Sequence, residues 1–190
     1  MTEESMPRVA WGITGAGDML RETLDAMRSI GEAYAGKVEV EVYLSKAGEQ
    51  VLQRYRLLEE LKEAFRRVLV EKDSNTPFMT GRLQLCHYRF LLIAPATSNT
   101  VAKIAHGISD TMLTNAAIQA LKAYVPVHIM PVDYREGTTV TRLPDGRALK
   151  LRVRKEDAEN ARRVSEMDGV HAFEEPREIE GIFRVEFGAL

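Results

Sequence analysis

Hydrophobic positions along the chain switch repeatedly between a period of two and a period near 3.6. Residues 9–14 form an apolar run that reads as a buried strand, and Gly15-Ala16-Gly17 ends it. Helical spacing follows over 18–34. Residues 38–44 alternate strictly, as a half-exposed strand does, and helical spacing returns over 47–67 with a break near Tyr55. A short third strand is predicted at 68–70, a short helix at 78–85 and a fourth strand at 89–94. Helices over 99–106 and 111–123 lead to a fifth strand at 127–130. The tail changes character. Segments 138–143 and 148–153 flank Pro144-Asp145-Gly146 and read as a β-hairpin. A helix is expected over 155–167, and 183–187 alternates again, as a terminal strand or a frayed end does.

Alternating βα units of this length predict an α/β fold with a mostly parallel sheet covered by helices. Ligands of such sheets bind outside the carboxyl ends of the strands. The unusual loops all fall at those ends: Gly15-Ala16-Gly17, Ser45-Lys46-Ala47, residues 94–99, and Pro131-Val132-Asp133-Tyr134. One domain is expected over 1–190, with a ligand-binding core over 8–135 and an extension of hairpin and helix over 136–190.

Composition narrows the function classes. The chain has 190 residues, 45% hydrophobic and 28% charged, which is ordinary for a globular protein. A net charge of −2 argues against binding driven by nucleic acid or by an anionic membrane surface. No apolar run approaches the ~20 residues that span a bilayer. Residues 1–8 are short and polar without a signal-peptide pattern, so a cytoplasmic location is expected. Cys86 is the only cysteine, which excludes an internal disulfide or a cysteine-ligated cluster. Redox chemistry would therefore need another cofactor. His87 lies in a loop, His106 at a helix end and His128 in a buried strand. No metal-ligand or triad spacing emerges, and no metal is expected.

The chemistry-bearing segments each have two readings. Gly12-x-x-Gly15-x-Gly17 lets the backbone approach a phosphate, or simply makes a tight turn. Its order is not the dinucleotide fingerprint, and Ser45-Lys46 stands where that fingerprint wants an acid. A hydroxyl beside an ammonium suits a phosphate better than a ribose diol. Thr97, Ser98, Asn99 and Thr100 follow the fourth strand. A helix cap needs only one of them, so four in a row favour a ligand. Asp110-Thr111 reads as a helix cap, and Ala116, Ala117, Ala120 and Ala123 suit close packing against a helix or another subunit. Arg147, Lys150, Arg152, Arg154 and Lys155 form a solvated face or a docking surface for an acidic electron-transfer partner.

Gly12-Ile13-Thr14-Gly15, the run from Ala94 through Ile108 and Asp110-Thr111-Met112-Leu113-Thr114 together resemble the homo-oligomeric flavin-containing decarboxylase-type flavoproteins. That family includes phosphopantothenoylcysteine and lantibiotic decarboxylases. The resemblance covers about 8–135. It implies a Rossmann-like three-layer sandwich, bound FMN, and a homo-oligomer built from trimers with the flavin near a subunit interface. Carried over, Gly15, Ala16 and Gly17 would line the FMN and Ser45 would lie near its phosphate. Ala96, Thr97 and Asn99 would hold the ribityl chain and ring edge, and Thr114 and Asn115 would approach the cofactor. Pro131 to Gly137 replaces the Met-Asn-rich clamp of the decarboxylases, and their catalytic histidine has no counterpart.

A narrower subgroup, the archaeoflavoproteins and dihydromethanopterin reductases, is similar over a longer stretch. The matching segments are Ala10 to Gly15, Tyr43 to Ala47, Tyr55-Arg56-Leu57, Pro131 to Gly137 and Leu143 to Arg147. The resemblance implies an FMN-dependent reductase that reduces dihydromethanopterin by hydride transfer. The alternative is an FMN electron carrier served by a ferredoxin-like partner, with no small substrate. On the substrate side, Asp133 would accept hydrogen bonds from the amino-pyrimidine edge, and Tyr134 or Tyr88 would sandwich the pterin.

Overall fold

Side chains that alternate along each strand sort to two faces, and each face takes its own helices. The computed structural model describes residues 6–188; residues 1–5, part of the polar start read above, lie outside the described residues, as do 189–190. In chain order the elements are β1 (Arg8–Ile13), α1 (Leu20–Ala33), β2 (Glu39–Leu44), α2 (Lys46–Arg54), α3 (Leu58–Ala64), β3 (Val68–Val70), α4 (Met79–Gln84) and β4 (Phe90–Ala96). There follow α5 (Ser98–Ala105), α6 (Met112–Lys122), β5 (Val127–Pro131), β6 (Gly137–Arg142), β7 (Ala148–Val153), α7 (Lys155–Ser165), β8 (Val170–Ala172) and α8 (Ile179–Phe187).

Six strands pair in the order β3-β2-β1-β4-β5-β8, all parallel, while β6 and β7 pair antiparallel as a separate hairpin. This is the Rossmann-like three-layer sandwich that the resemblance implies, with the parallel, helix-covered sheet that the alternation predicts. From β1 and β4, Val9, Trp11, Ile13, Phe90 and Leu92 point to one core, under α1, α2, α3 and α8. Ala10, Leu91 and Ile93 point to the other, under α4, α5, α6 and α7. Helix α1 buries Leu20, Leu24, Met27 and Ile30, a single stripe at helical spacing. Each fully buried large side chain contributes roughly 1.5–3 kcal/mol. Ala116, Ala117 and Ala120 are fully buried, and their small size lets α6 pack against α4.

The tail departs from its reading. Residues 183–187 are the end of α8, not a strand. Ile179, Ile182, Phe183 and Phe187 turn to the core at helical spacing, while Val185, which completes the apparent alternation, is 83% exposed. Three-residue β8 is too short to register any period, yet it closes the sheet beside β5. There His128 is buried against Phe90 and stacks on His171, ring centroids 5.0 Å apart in both pairs. Among the described residues its Nε2 has no hydrogen-bond partner.

Tyr88 is a second correction. It is 3% exposed, and its hydroxyl donates to Glu41 at 2.8 Å and lies beside the Tyr43 hydroxyl. The Arg82 guanidinium covers its ring at 4.8 Å. The ring is buried with Arg82 over one face, so it is not free to sandwich a ligand.

Candidate functional site

The strand order reverses between β1 and β4, which opens a crevice at their carboxyl ends. Thr14 laces the two loops that leave it. Its N–H and hydroxyl both donate to the Pro95 carbonyl, at 3.3 and 2.7 Å, and its Oγ1 accepts from the Thr97 N–H at 2.9 Å. Thr97 then caps α5 by accepting from the Thr100 N–H. Ser45 caps α2 in the same way, accepting from Gly48 at 2.9 Å. Two hydroxyl-capped helix N-termini therefore face one edge, and their partial positive charge suits an anion.

The glycines of the first loop are needed for packing. A Cβ on Gly15 would lie 2.7 Å from that of Ala47, and one on Gly17 would lie 2.6 Å from the Tyr55 hydroxyl. Close approach of this loop to α2 is therefore built into its sequence. Glu71, just after β3, accepts the Lys46 N–H at 3.1 Å and the Met112 N–H at 2.7 Å, so one carboxylate already joins the starts of α2 and α6.

Above the crevice the hairpin of β6 and β7 encloses a cavity of about 300 Å³. Ala16, Gly17, Asp18, Thr97, Ser98 and Asp133 face it from the sheet edge. Thr139 and Thr141 on β6, with Leu143, Leu149 and Leu151, form the opposite wall. Tyr55 ties the two together by donating to the Arg142 carbonyl at 2.8 Å. Burial raises the Asp18 carboxyl above its ordinary pKa, and Glu22 adds to this. Hydrogen bonds from Thr141, the Met19 N–H and Thr139 offset part of it. Burial also raises the Tyr55 phenol, with a further push from Asp18.

Of the residues singled out by sequence, Ala16, Gly17, Thr97 and Asp133 meet at this cavity, and Ser98 donates to Asp133. Gly15 and Ser45 lie in the flanking loops and Ala96 ends β4, none of them lining it, and Asn99 is exposed on the first turn of α5. Thr114 is fully buried, its hydroxyl closing a capping box with Thr111. Asn115 donates to the Ser74 carbonyl and to Asn75, both at 3.1 Å. Tyr134 is half-buried outside the cavity, with the Arg135 guanidinium 6.0 Å from its ring. Asp18 escaped the sequence reading because it opens a predicted helix. Thr139 and Thr141 escaped it because their shared face is visible only once β6 has a partner. Among the described residues no cluster of His, Cys, Asp or Glu is placed to hold a metal.

The model of the family described as Flavoprotein matches residues 1–138. The chain belongs to the flavoprotein family. The flavoprotein is 43% identical to the uncharacterised protein MJ0730 of Methanocaldococcus jannaschii, over 93% of its own length and 94% of that protein's. It is 31% identical to the dihydromethanopterin reductase (acceptor) of the same organism, over 94% and 96% of the two chains. Among solved structures, DmrB of Burkholderia xenovorans in complex with FMN, a cubic protein cage for redox transfer, superposes with a TM-score of 0.80. It is 32% identical to this flavoprotein, covering 95% of this chain and 94% of that one. The donor set at the edge fits such a cofactor, with capped helix starts and hydroxyls for a phosphate and a polyol.

Proposed function

We propose that this flavoprotein is an FMN-dependent reductase that converts dihydromethanopterin to tetrahydromethanopterin. The observation that carries this reading is the cavity between the β1–β4 crevice and the hairpin, polar on one wall and lined by leucines on the other. The likeness to the methanopterin reductase and to DmrB supports it. FMN, when bound, supplies a two-electron hydride couple.

The chain's own groups bind and orient. Ser45 and the start of α2 hold the phosphate, with the Gly15-Ala16-Gly17 backbone alongside. Ala96, Thr97 and Asn99 hold the ribityl chain and the ring edge. Asn115, set by the cap that Thr114 shares with Thr111, approaches from the start of α6. Asp133 accepts from the amino-pyrimidine edge of the pterin, and Tyr134 stacks on it. A homo-oligomer built from trimers is part of this reading, supported by the cage formed by DmrB.

The test is direct. Purified protein should be yellow and release FMN, identified by its mass. Anaerobically reduced protein should be reoxidised by dihydromethanopterin. A chain that neither carries nor takes up FMN overturns the reading. The exposed side chains of Lys150 and Arg152 on β7 favour a second reading, a carrier docked to an acidic ferredoxin-like donor. Reoxidation by a protein acceptor with none by the pterin would select it.

A further inference from the structure

The cavity holds two carboxyl groups in different settings. Asp133 accepts a hydroxyl from Ser98 and has the Arg154 guanidinium in its field. The charged neighbour among the leading influences on Asp18 is another acid, Glu22. Asp18 is half-buried, directly after the glycine loop, with Thr139 Oγ1 3.4 Å from its Oδ2 and the hairpin leucines across the cavity. Its neighbours come from several elements. Tyr55 comes from the end of α2, with Arg54 behind it. Glu22 comes from α1 and Asp133 from the loop after β5, while the hairpin offers only hydroxyls and leucines. Burial in such a site raises the carboxyl's titration above its ordinary range.

We propose that Asp18 is the proton donor of this cavity, delivering its carboxylic proton to the imine nitrogen of a flat heterocyclic substrate as that substrate is reduced. This rests on the reductase reading above and assigns a role that reading leaves open. The balance is that of reducing a C=N bond. The carbon accepts a hydride from a donor of the reduced-flavin class, and the π electrons of the bond move to nitrogen. The Asp18 O–H bond breaks as the new N–H bond forms, and the carboxylate left behind regains a proton from water. General-acid catalysis needs a proton-bearing group beside the reacting atom, and such a group is worth ~10²–10⁴-fold in rate.

Two measurements test it on the full-length protein. In the first, the carboxyl carbon of Asp18 is followed by ¹³C NMR, with its signal assigned by its loss in Asp18→Asn. It is expected to titrate above the ordinary carboxylate range. In the second, reduced protein is mixed with dihydromethanopterin across a pH series. The wild-type rate should fall as pH rises through the NMR midpoint. Asp18→Asn should lower kcat at least ~100-fold and flatten the profile, with KM within about threefold. Thr139→Val keeps the acid and removes a hydrogen bond that favours the carboxylate, so it should move both the midpoint and the rate profile to higher pH. An ordinary titration, or an Asp18→Asn variant with raised KM and unchanged kcat, overturns the proposal. Failure of the underlying reading looks different: no flavin, or no reoxidation of the wild type by the pterin, and the proposal falls with it.

Discussion

Thr14 has a side chain of three heavy atoms, yet it fixes the relation between the two loops of the crevice. It is 2% exposed, and from the end of β1 it donates to the Pro95 carbonyl and accepts from the Thr97 N–H, both at the end of β4. Replacing it with valine keeps the shape and leaves the Thr97 N–H without its acceptor. Thr14→Val should cost about 2 kcal/mol of stability by denaturant unfolding, and it should weaken FMN retention as the Thr97 loop loosens. At this scale the sequence was legible where chemistry is crowded into a short run. The polar stretch 97–100 and the glycines after β1 stand out on any reading. Asp18 did not, because a lone acid at a helix start has an ordinary explanation, and its burial depends on a hairpin 120 residues away in the chain.

Elements are held to the sheet by more than apolar stripes. Arg82 pins α4 to β2 by gripping Glu41, with Arg67 and Arg8 3.5 and 3.8 Å from the same carboxylate. Burial pushes the Glu41 carboxyl up, but the bonds from Arg82 and Tyr88 outweigh it and hold the group below its ordinary range. Arg82→Leu would leave that charge with the tyrosine hydroxyls and two more distant cations. A loss of about 3 kcal/mol is expected, and the double replacement with Glu41→Gln should recover part of it. Strand and helix identity was mostly legible because each core strand and helix carries its own period. The failures fall where the period is too short to count, as in β8. They also fall where two periods coincide, as in α8, whose Phe183 and Phe187 satisfy both.

The molecule as a whole stores a pH response at its sheet edge. Burial, then the neighbouring His171, lowers the His128 pKa from 6.5 to about 4. The fold therefore prefers the neutral ring. Stability from this site is complete above pH 6.5 and declines as the unfolded chain alone takes up a proton. The decline levels off below about 4. The loss across that window is about 3 kcal/mol. Thermal midpoints measured between pH 7.5 and 4.5 should fall accordingly, and His128→Leu should flatten the decline.

The hairpin is also a whole-molecule feature. Its ends, Gly137 and Val153, are paired, so the chain leaves β5, makes one excursion, and returns beside its point of departure before α7 and β8. Removing 137–153 and joining 136 to 154 should give a folded protein with near-native circular dichroism, lacking the leucine wall and without measurable pterin turnover.

Hairpin and sheet touch chiefly through side chains at the cavity and the Tyr55 tether, with no shared strand pairing. On the proposed reading the capped helix starts that would hold a phosphate belong to the scaffold, whereas the leucine wall of the cavity belongs to the hairpin. Mutational drift in that hairpin can alter which ring is accepted while foldability stays untouched. A library confined to 138–152 is then the economical place to search for new substrates on this scaffold.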